Sequence, residues 1–340
     1  HLRTAGREPA DYVLAKLAAH DLVMVGEEHQ VRESCLFVAG LVERLHREAG
    51  VHLLLTEFVR SRNTHRLNQL LTATAWDAEA IHEVMRDWAW PTWGFREYRA
   101  ILRAAWEVNR ARAEGEPAFR VVGLDDEWDQ YEYAWSDMSR KEKFDLRLKR
   151  EAHLVAVAQR EALDEGRKAL VHIGFSHTLT GHGIRFGTVL TKNHGERVFQ
   201  VALHAKLPAR GGPAPITGFL EGVWTEAGAR PVGVDVVAPP LAPLRDDACV
   251  LWHYLAGKRF EELAQGYVIL APLTELHETS WIPGFVNEAQ FERAKAVALH
   301  ARLATEADGA SASALDAALR RRFPPPEEAG APEGGAGDPE

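Results

Sequence analysis

The chain has 340 residues, 46% of them hydrophobic, with a net charge of −9 from 40 Lys and Arg against 49 Asp and Glu. This supplies a core for one large α/β domain or two smaller ones and argues against a nucleic-acid surface, which needs clustered Lys and Arg. No 18-residue apolar run marks a membrane span, and Cys35 and Cys249 lack the spacing of a disulfide framework or cysteine zinc site.

In chain order, residues 21–26 form an apolar run that closes at Gly26 and continues Glu27-Glu28-His29. It reads as a short buried strand. Residues 31–49 then place Cys35, Val38, Leu41, Val42 and Leu45 at helical spacing, and Gly50 ends that helix before a second strand at 51–57. Strand, helix, strand in this span is a βαβ unit with parallel strands. Residues 63–113 predict a tryptophan-rich helical subregion broken near Pro91 and Gly94, its second helix packing through Phe95, Tyr98, Ile101, Leu102 and Ala105.

A third strand at 120–125 leads into an acidic, aromatic stretch that includes Tyr131 and Tyr133, followed by a long helix at 139–165. Residues 169–174 are a fourth strand and repeat the first ending as Gly174-Phe175-Ser176-His177. The loop 178–187, with three glycines and His182, is free to act as a lid. Strands at 197–204, 233–237 and 267–270, a Pro/Gly loop at 207–215, and helices at 217–227 and 288–305 complete the expected domain, residues 1–305. From 306 to 340, Ala, Gly, Pro and Glu dominate, and this composition predicts a disordered tail. The fold class is therefore α/β: a mostly parallel central sheet flanked by helices, with a helical insertion and a disordered C-terminal tail.

Four strand ends carry the chemistry. Ligands of open α/β sheets bind beyond the carboxyl ends of the strands, where this sequence offers His29, Glu57, Asp125 and His177. A histidine can act there as general base or metal ligand. Glu27 and Glu57 can orient it, coordinate a metal or deprotonate water, while Glu27 has the alternative of charging the next helix N-terminus. His29, Glu57, His177 and Asp125 meet the ligand count of a divalent site with an open water position. A metal-free variant needs a cation, for which Arg32 is the candidate. His172, inside its strand, reads as a core histidine. No Gly-x-Ser-x-Gly elbow, P-loop, Gly-x-Gly-x-x-Gly or His-Glu-x-x-His helix is present.

With these residues, Val25-Gly26-Glu27-Glu28-His29, Leu55-Thr56-Glu57 and Gly174-Phe175-Ser176-His177, the chain resembles the superfamily that joins erythromycin esterases, ChaN haem-binding lipoproteins and Tiki/TraB metalloproteases. The Gly-Glu-x-His ending is most similar to the ChaN branch, and Arg147 or Arg150 matches loosely an arginine before the last core helix. The esterase branch implies metal-free hydrolysis, with His29 as base, Glu57 and Glu27 orienting it, and His177 with Arg32 stabilising the oxyanion. The Tiki branch implies a divalent metal (Mn, Zn, Co or Fe) and amide cleavage. The ChaN branch implies haem binding without catalysis, with Tyr131, Tyr133 and His182 as candidate axial ligands. The expectation is a cytoplasmic hydrolase of an ester or amide acting on a small-molecule or peptide substrate. The alternatives are a haem- or metal-binding protein and an enzyme that tailors a peptide or natural product.

Overall fold

The computed structural model describes residues 2–87, 93–125, 138–181, 183–205, 219–244, 258–300 and 303–326. Trp88, Trp90, Pro91, Tyr131, Tyr133, His182 and the loop 207–215 lie outside the described residues.

The sheet contains β1 (Leu22–Glu27), β2 (Leu53–Arg60), β3 (Arg120–Asp125), β4 (Ala169–Gly174), β5 (Val198–Leu203), β6 (Val232–Asp235) and β7 (Gly266–Ile269). Their order is β3-β2-β4-β1-β5-β7-β6. Every pairing is parallel except β6 against β7. The four strands nominated by their endings are thus contiguous, and their carboxyl ends share one edge. β1, β2, β4 and β5 are buried along their whole length, which is why they read as unbroken apolar runs rather than alternating ones.

Alternation along each strand divides the core into two layers. Val23 and Val25 face the helix Arg32–Arg47 and the helix Arg96–Ala111, with Val38, Leu41, Leu45, Ile101 and Ala105 in the same cluster. Leu22 and Met24 face the helix Arg140–Ala158 and the helix Phe186–His194 through Leu154, Ala158, Phe186 and Leu190. The tryptophan-rich subregion forms helices Thr64–Thr72, Ala78–Arg86 and Arg96–Ala111. The helix expected at 139–165 ends its regular part at Ala158 and continues through Gln159–Leu163 as a wider π turn.

The tail boundary at 306 needs correction. Residues 312–322 form a helix, Ala312–Arg322, capped by the Ser311 side chain accepting from the Ala314 N–H. Leu315, Leu319 and Phe323 are buried in the first core layer. Phe323 packs edge-on against Phe95 at 5.0 Å between ring centroids, and its carbonyl accepts the Trp281 N–H at 3.0 Å. The alanine-rich composition concealed an apolar stripe at i, i+4 and i+8, the spacing by which a helix buries one face. Residues 327–340 lie outside the described residues. Truncation of Leu319 to Ala removes a fully buried side chain and is expected to cost about 2–5 kcal/mol, read as a lowered urea midpoint. An unchanged midpoint would mean that this helix is not part of the core.

Candidate active site

The two Gly-x-x-His endings lie side by side because β1 pairs with β4 in a register that sets Glu27 opposite Gly174. Each glycine leaves room for the other ending. A Cβ at Gly174 would stand 2.7 Å from Nε2 of His29 and 3.2 Å from Oε2 of Glu57, and one at Gly26 would stand 2.4 Å from the Thr178 hydroxyl. After His29 the chain turns through Gln30 in the left-handed region, φ 68°, where few non-glycine residues rest. The Gln30 N–H donates to the Tyr98 hydroxyl at 3.2 Å, which holds that turn.

Glu27 is buried behind the turn and collects four donors, Cys35 Sγ at 3.7 Å from Oε2 among them. Its Oε1 accepts from Tyr98 Oη at 2.6 Å and from His29 Nδ1 at 3.0 Å. Its Oε2 accepts from His172 Nε2 at 2.7 Å. Burial alone would raise the Glu27 carboxyl, yet His172 and His29 outweigh it and bring the pKa down to about 2. Glu27 is therefore an ionised anchor for His29 rather than a helix cap; the helix Arg32–Arg47 has Val31 at its cap and no side-chain cap bond. With Nδ1 committed to Glu27, the His29 ring presents Nε2, 3.8 Å from Oε2 of Glu57, and keeps 34% of its side chain exposed. Burial opposes its charge, but Glu27 and Glu57 raise its pKa above the ordinary imidazole value. Trp93 stands edge-on to the ring at 4.9 Å.

Glu57 is not the last residue of its strand, as expected, since β2 continues to Arg60. The β2–β3 register shifts between Thr56 and Arg60, an irregularity of the kind that re-aims a side chain. Oε2 of Glu57 accepts the Gly174 N–H at 2.8 Å and Oε1 accepts Nη2 of Arg150 at 2.5 Å. Arg150 also grips Asp125 with Nε at 3.0 and 3.1 Å and Nη2 at 2.5 Å. Burial would push Glu57 up, but His177 and Arg150 hold it well below the usual carboxylate range.

His177 mirrors His29 across Glu57. Its Nε2 lies 3.5 Å from Oε1 of Glu57, and its Nδ1 lies 2.9 Å from Oε1 of Glu151. Glu151 also accepts from Arg185 Nη1 at 2.9 Å and from the Phe186 N–H at 2.8 Å, which ties the expected lid to the site at its far end. Burial disfavours the charged ring, but Glu151 and Glu57 raise His177 to about 9. Glu151 itself is lowered to about 2: burial would raise it, and His177 and Arg185 prevail. Beside His29, burial pushes the carboxyl of Glu28 up to about 7.

The structure thus brings together Glu27, His29, Glu57 and His177, and joins Asp125 to them through Arg150. Arg32 opens the helix Arg32–Arg47, where its backbone N–H donates to the His277 carbonyl at 2.9 Å, and the guanidinium that reaches Glu57 is that of Arg150. Sequence reasoning named Arg150 only as one of two loose matches, read His172 as core, and missed Glu151 and the Tyr98 hydroxyl. The signal for Arg150 and Glu151 was their place on the apolar stripe of Leu154, Val155 and Ala158, where a charged pair needs partners.

A divalent ion held jointly by His29, Glu57, His177 and Asp125 does not suit this arrangement. Asp125 gives its carboxylate to Arg150, and Nη1 of the same guanidinium lies 3.4 Å from Nε2 of His177, so a cation already stands among the donors proposed as ligands. Among the described residues, no three His, Cys, Asp or Glu side chains converge as a metal set.

Residues 13–113 match the model of the family described as haem-binding uptake, Tiki superfamily, ChaN, in line with the resemblance read from the motifs. Solved structures of similar fold include a mutant erythromycin esterase, EreC, in its open conformation, with TM-score 0.52, 14% identity, and 76% of this chain and 92% of that chain covered. A succinoglycan biosynthesis protein superposes with TM-score 0.53 at 12% identity over 76% of this chain and 91% of its own. A Bacillus cereus protein does so with TM-score 0.51 at 10% identity over 79% and 95%. At these identities the likeness is one of fold. No curated protein sequence matches the chain.

Replacing Arg150 by Met strands the carboxylates of Glu57 and Asp125 and is expected to cost roughly 3–5 kcal/mol at neutral pH. Glu57 has a depressed folded pKa. Its stabilisation is present above the unfolded value of about 4.3 and is lost as pH falls through the folded one. The deficit of Arg150→Met should therefore shrink on acidification in urea titrations. A deficit independent of pH would contradict the pairing.

Proposed function

We propose that the chain is a hydrolase that activates water at the carboxyl edge of its sheet to cleave an ester or amide. One observation carries this reading: two imidazoles flank Glu57, at 3.8 and 3.5 Å, and each is backed on its other ring nitrogen by a buried glutamate, at 3.0 and 2.9 Å. A histidine so backed is oriented and its charged form stabilised, which suits proton transfer. His29, the more exposed ring, takes a proton from water on Nε2 while Glu27 stabilises the imidazolium. Glu57 accepts a hydrogen bond from the same water. Arg150 and the charged ring of His177 supply positive charge for the developing oxyanion, which is where preorganised electrostatics acts most strongly. The substrate is a small molecule or a peptide.

A second reading follows from the description of the matching family model, haem-binding uptake. The residues fit one part of it, since His29 offers Nε2 on the open side and donates Nδ1–H to a carboxylate, as metal-bound histidines do. His29 would then hold the haem iron, which supplies a ligand-binding centre. Hemin titration decides this: a Soret shift lost in His29→Ala supports it, and an unshifted spectrum removes it.

For hydrolysis, His29→Ala and Glu57→Gln are each expected to lower kcat/KM by roughly 10²-fold or more on a panel of esters, lactones and peptide amides. The pH profile should be a bell. Activity rises with pH as His29 becomes neutral and falls as His177 loses its proton near pH 9. Activity surviving both substitutions would remove this site from the reaction.

A further inference from the structure

At the opposite, amino-terminal edge of the sheet a second pair of histidines converges. His46 lies in the last turn of the helix Arg32–Arg47, and His52 immediately precedes β2. Between them the chain reverses through Gly50, with φ at 62°, a conformation that favours glycine. The two Nδ1 atoms stand 2.8 Å apart, and the rings cross at 69° with centroids 4.7 Å apart. We propose that His46 and His52 form a binding site for a divalent transition ion, Cu²⁺ or Ni²⁺, through their facing Nδ1 atoms, with water in the remaining positions.

Three observations support the site. For imidazole ligands at about 2.0–2.1 Å, the observed separation subtends roughly 85° at the ion, near the right angle of the tetragonal geometry that Cu²⁺ and Ni²⁺ favour. Second, Nε2 of His46 faces the Glu116 carboxylate at 3.7 Å, a carboxylate on the side where the outer partner of a ligating histidine stands. Third, the pair opens on a cavity of about 480 Å³ whose lining includes Val108, Ala113 and Pro117, room enough for the ion's waters. Arg47 and Arg112 also line it, but Arg47 pairs with Glu43 at 2.9 Å and Arg112 donates to the Glu116 carbonyl at 2.8 Å. Without an ion, one Nδ1–H donates to the other ring. Binding needs only that this proton move to Nε2 of the ring that carries it. The site is separate from the carboxyl-edge cluster and does not depend on the proposed hydrolysis.

Equilibrium dialysis against Ni²⁺ near neutral pH tests it on the full chain. The unsubstituted chain should bind one equivalent more than His52→Gln, and that difference should persist in a His29→Ala, His177→Ala background. Glu116→Gln should weaken the same equivalent by about 10–100-fold. His52 is half-buried at a loop, so His52→Gln decides the matter even where His46→Gln fails to fold. If His52→Gln takes up as much Ni²⁺ at the same affinity as the unsubstituted chain, the proposal is overturned.

Discussion

Everything at the carboxyl edge depends on one guanidinium. Arg150 sits between Glu57 and Asp125, whose side chains are 4% and 0% exposed, and a carboxylate in such surroundings keeps its charge only if a cation or a fan of N–H donors compensates it. By holding Glu57 ionised, Arg150 lets two imidazoles share one anion. Without it, Glu57 would keep only the Gly174 N–H and the two imidazoles as partners, and the charge that raises the pKa values of those imidazoles would be held less firmly. The guanidinium thus sets the protonation states of groups it barely touches.

The fold delivers these groups through the edge of a parallel sheet. The order β3-β2-β4-β1 makes neighbours of strands that are distant in sequence, and each contributes one element: Asp125, Glu57, the Gly174 ending with His177, and the Gly26 ending with His29. The glycines are spatial requirements here, since a side chain at Gly174 would strike the His29 ring. Helices then add what strands cannot. Arg150 and Glu151 descend from the helix on one face of the sheet, and Tyr98 reaches Glu27 from a helix on the other. The site therefore lies where both layers of the core meet the strand ends.

Much of this was legible in the sequence because it was written in local pattern. Buried parallel strands are unbroken apolar runs, so β1, β2, β3 and β4 and the polar residues just beyond them could be read directly, and the repeated Gly-x-x-His pointed to a shared crevice. What escaped notice was set by long-range pairing. Glu151, Tyr98 and His172 lie within otherwise apolar faces, and only the fold reveals that they converge on a neighbouring carboxylate or ring. The choice of Arg150 over Arg32 is of the same kind: one turn of helix beyond His29 appeared close in sequence, whereas the arginine that reaches Glu57 comes from 93 positions away. The helix Ala312–Arg322 was hidden differently, by an alanine-rich composition that masked three well-spaced apolar residues.

The two rings are unequal. His29 is partly exposed and backed by Glu27, whereas His177 is buried between Glu151 and Glu57 and is held charged to about pH 9. Nitrogen-detected NMR of the two imidazoles across pH measures this directly. His177 is expected to keep both ring protons well beyond neutrality, releasing one near pH 9, while His29 titrates separately above the ordinary imidazole value and retains its Nδ1 proton. Titration of both rings together, at the value of an unperturbed histidine, would contradict the arrangement of paired glutamates on which the site is built.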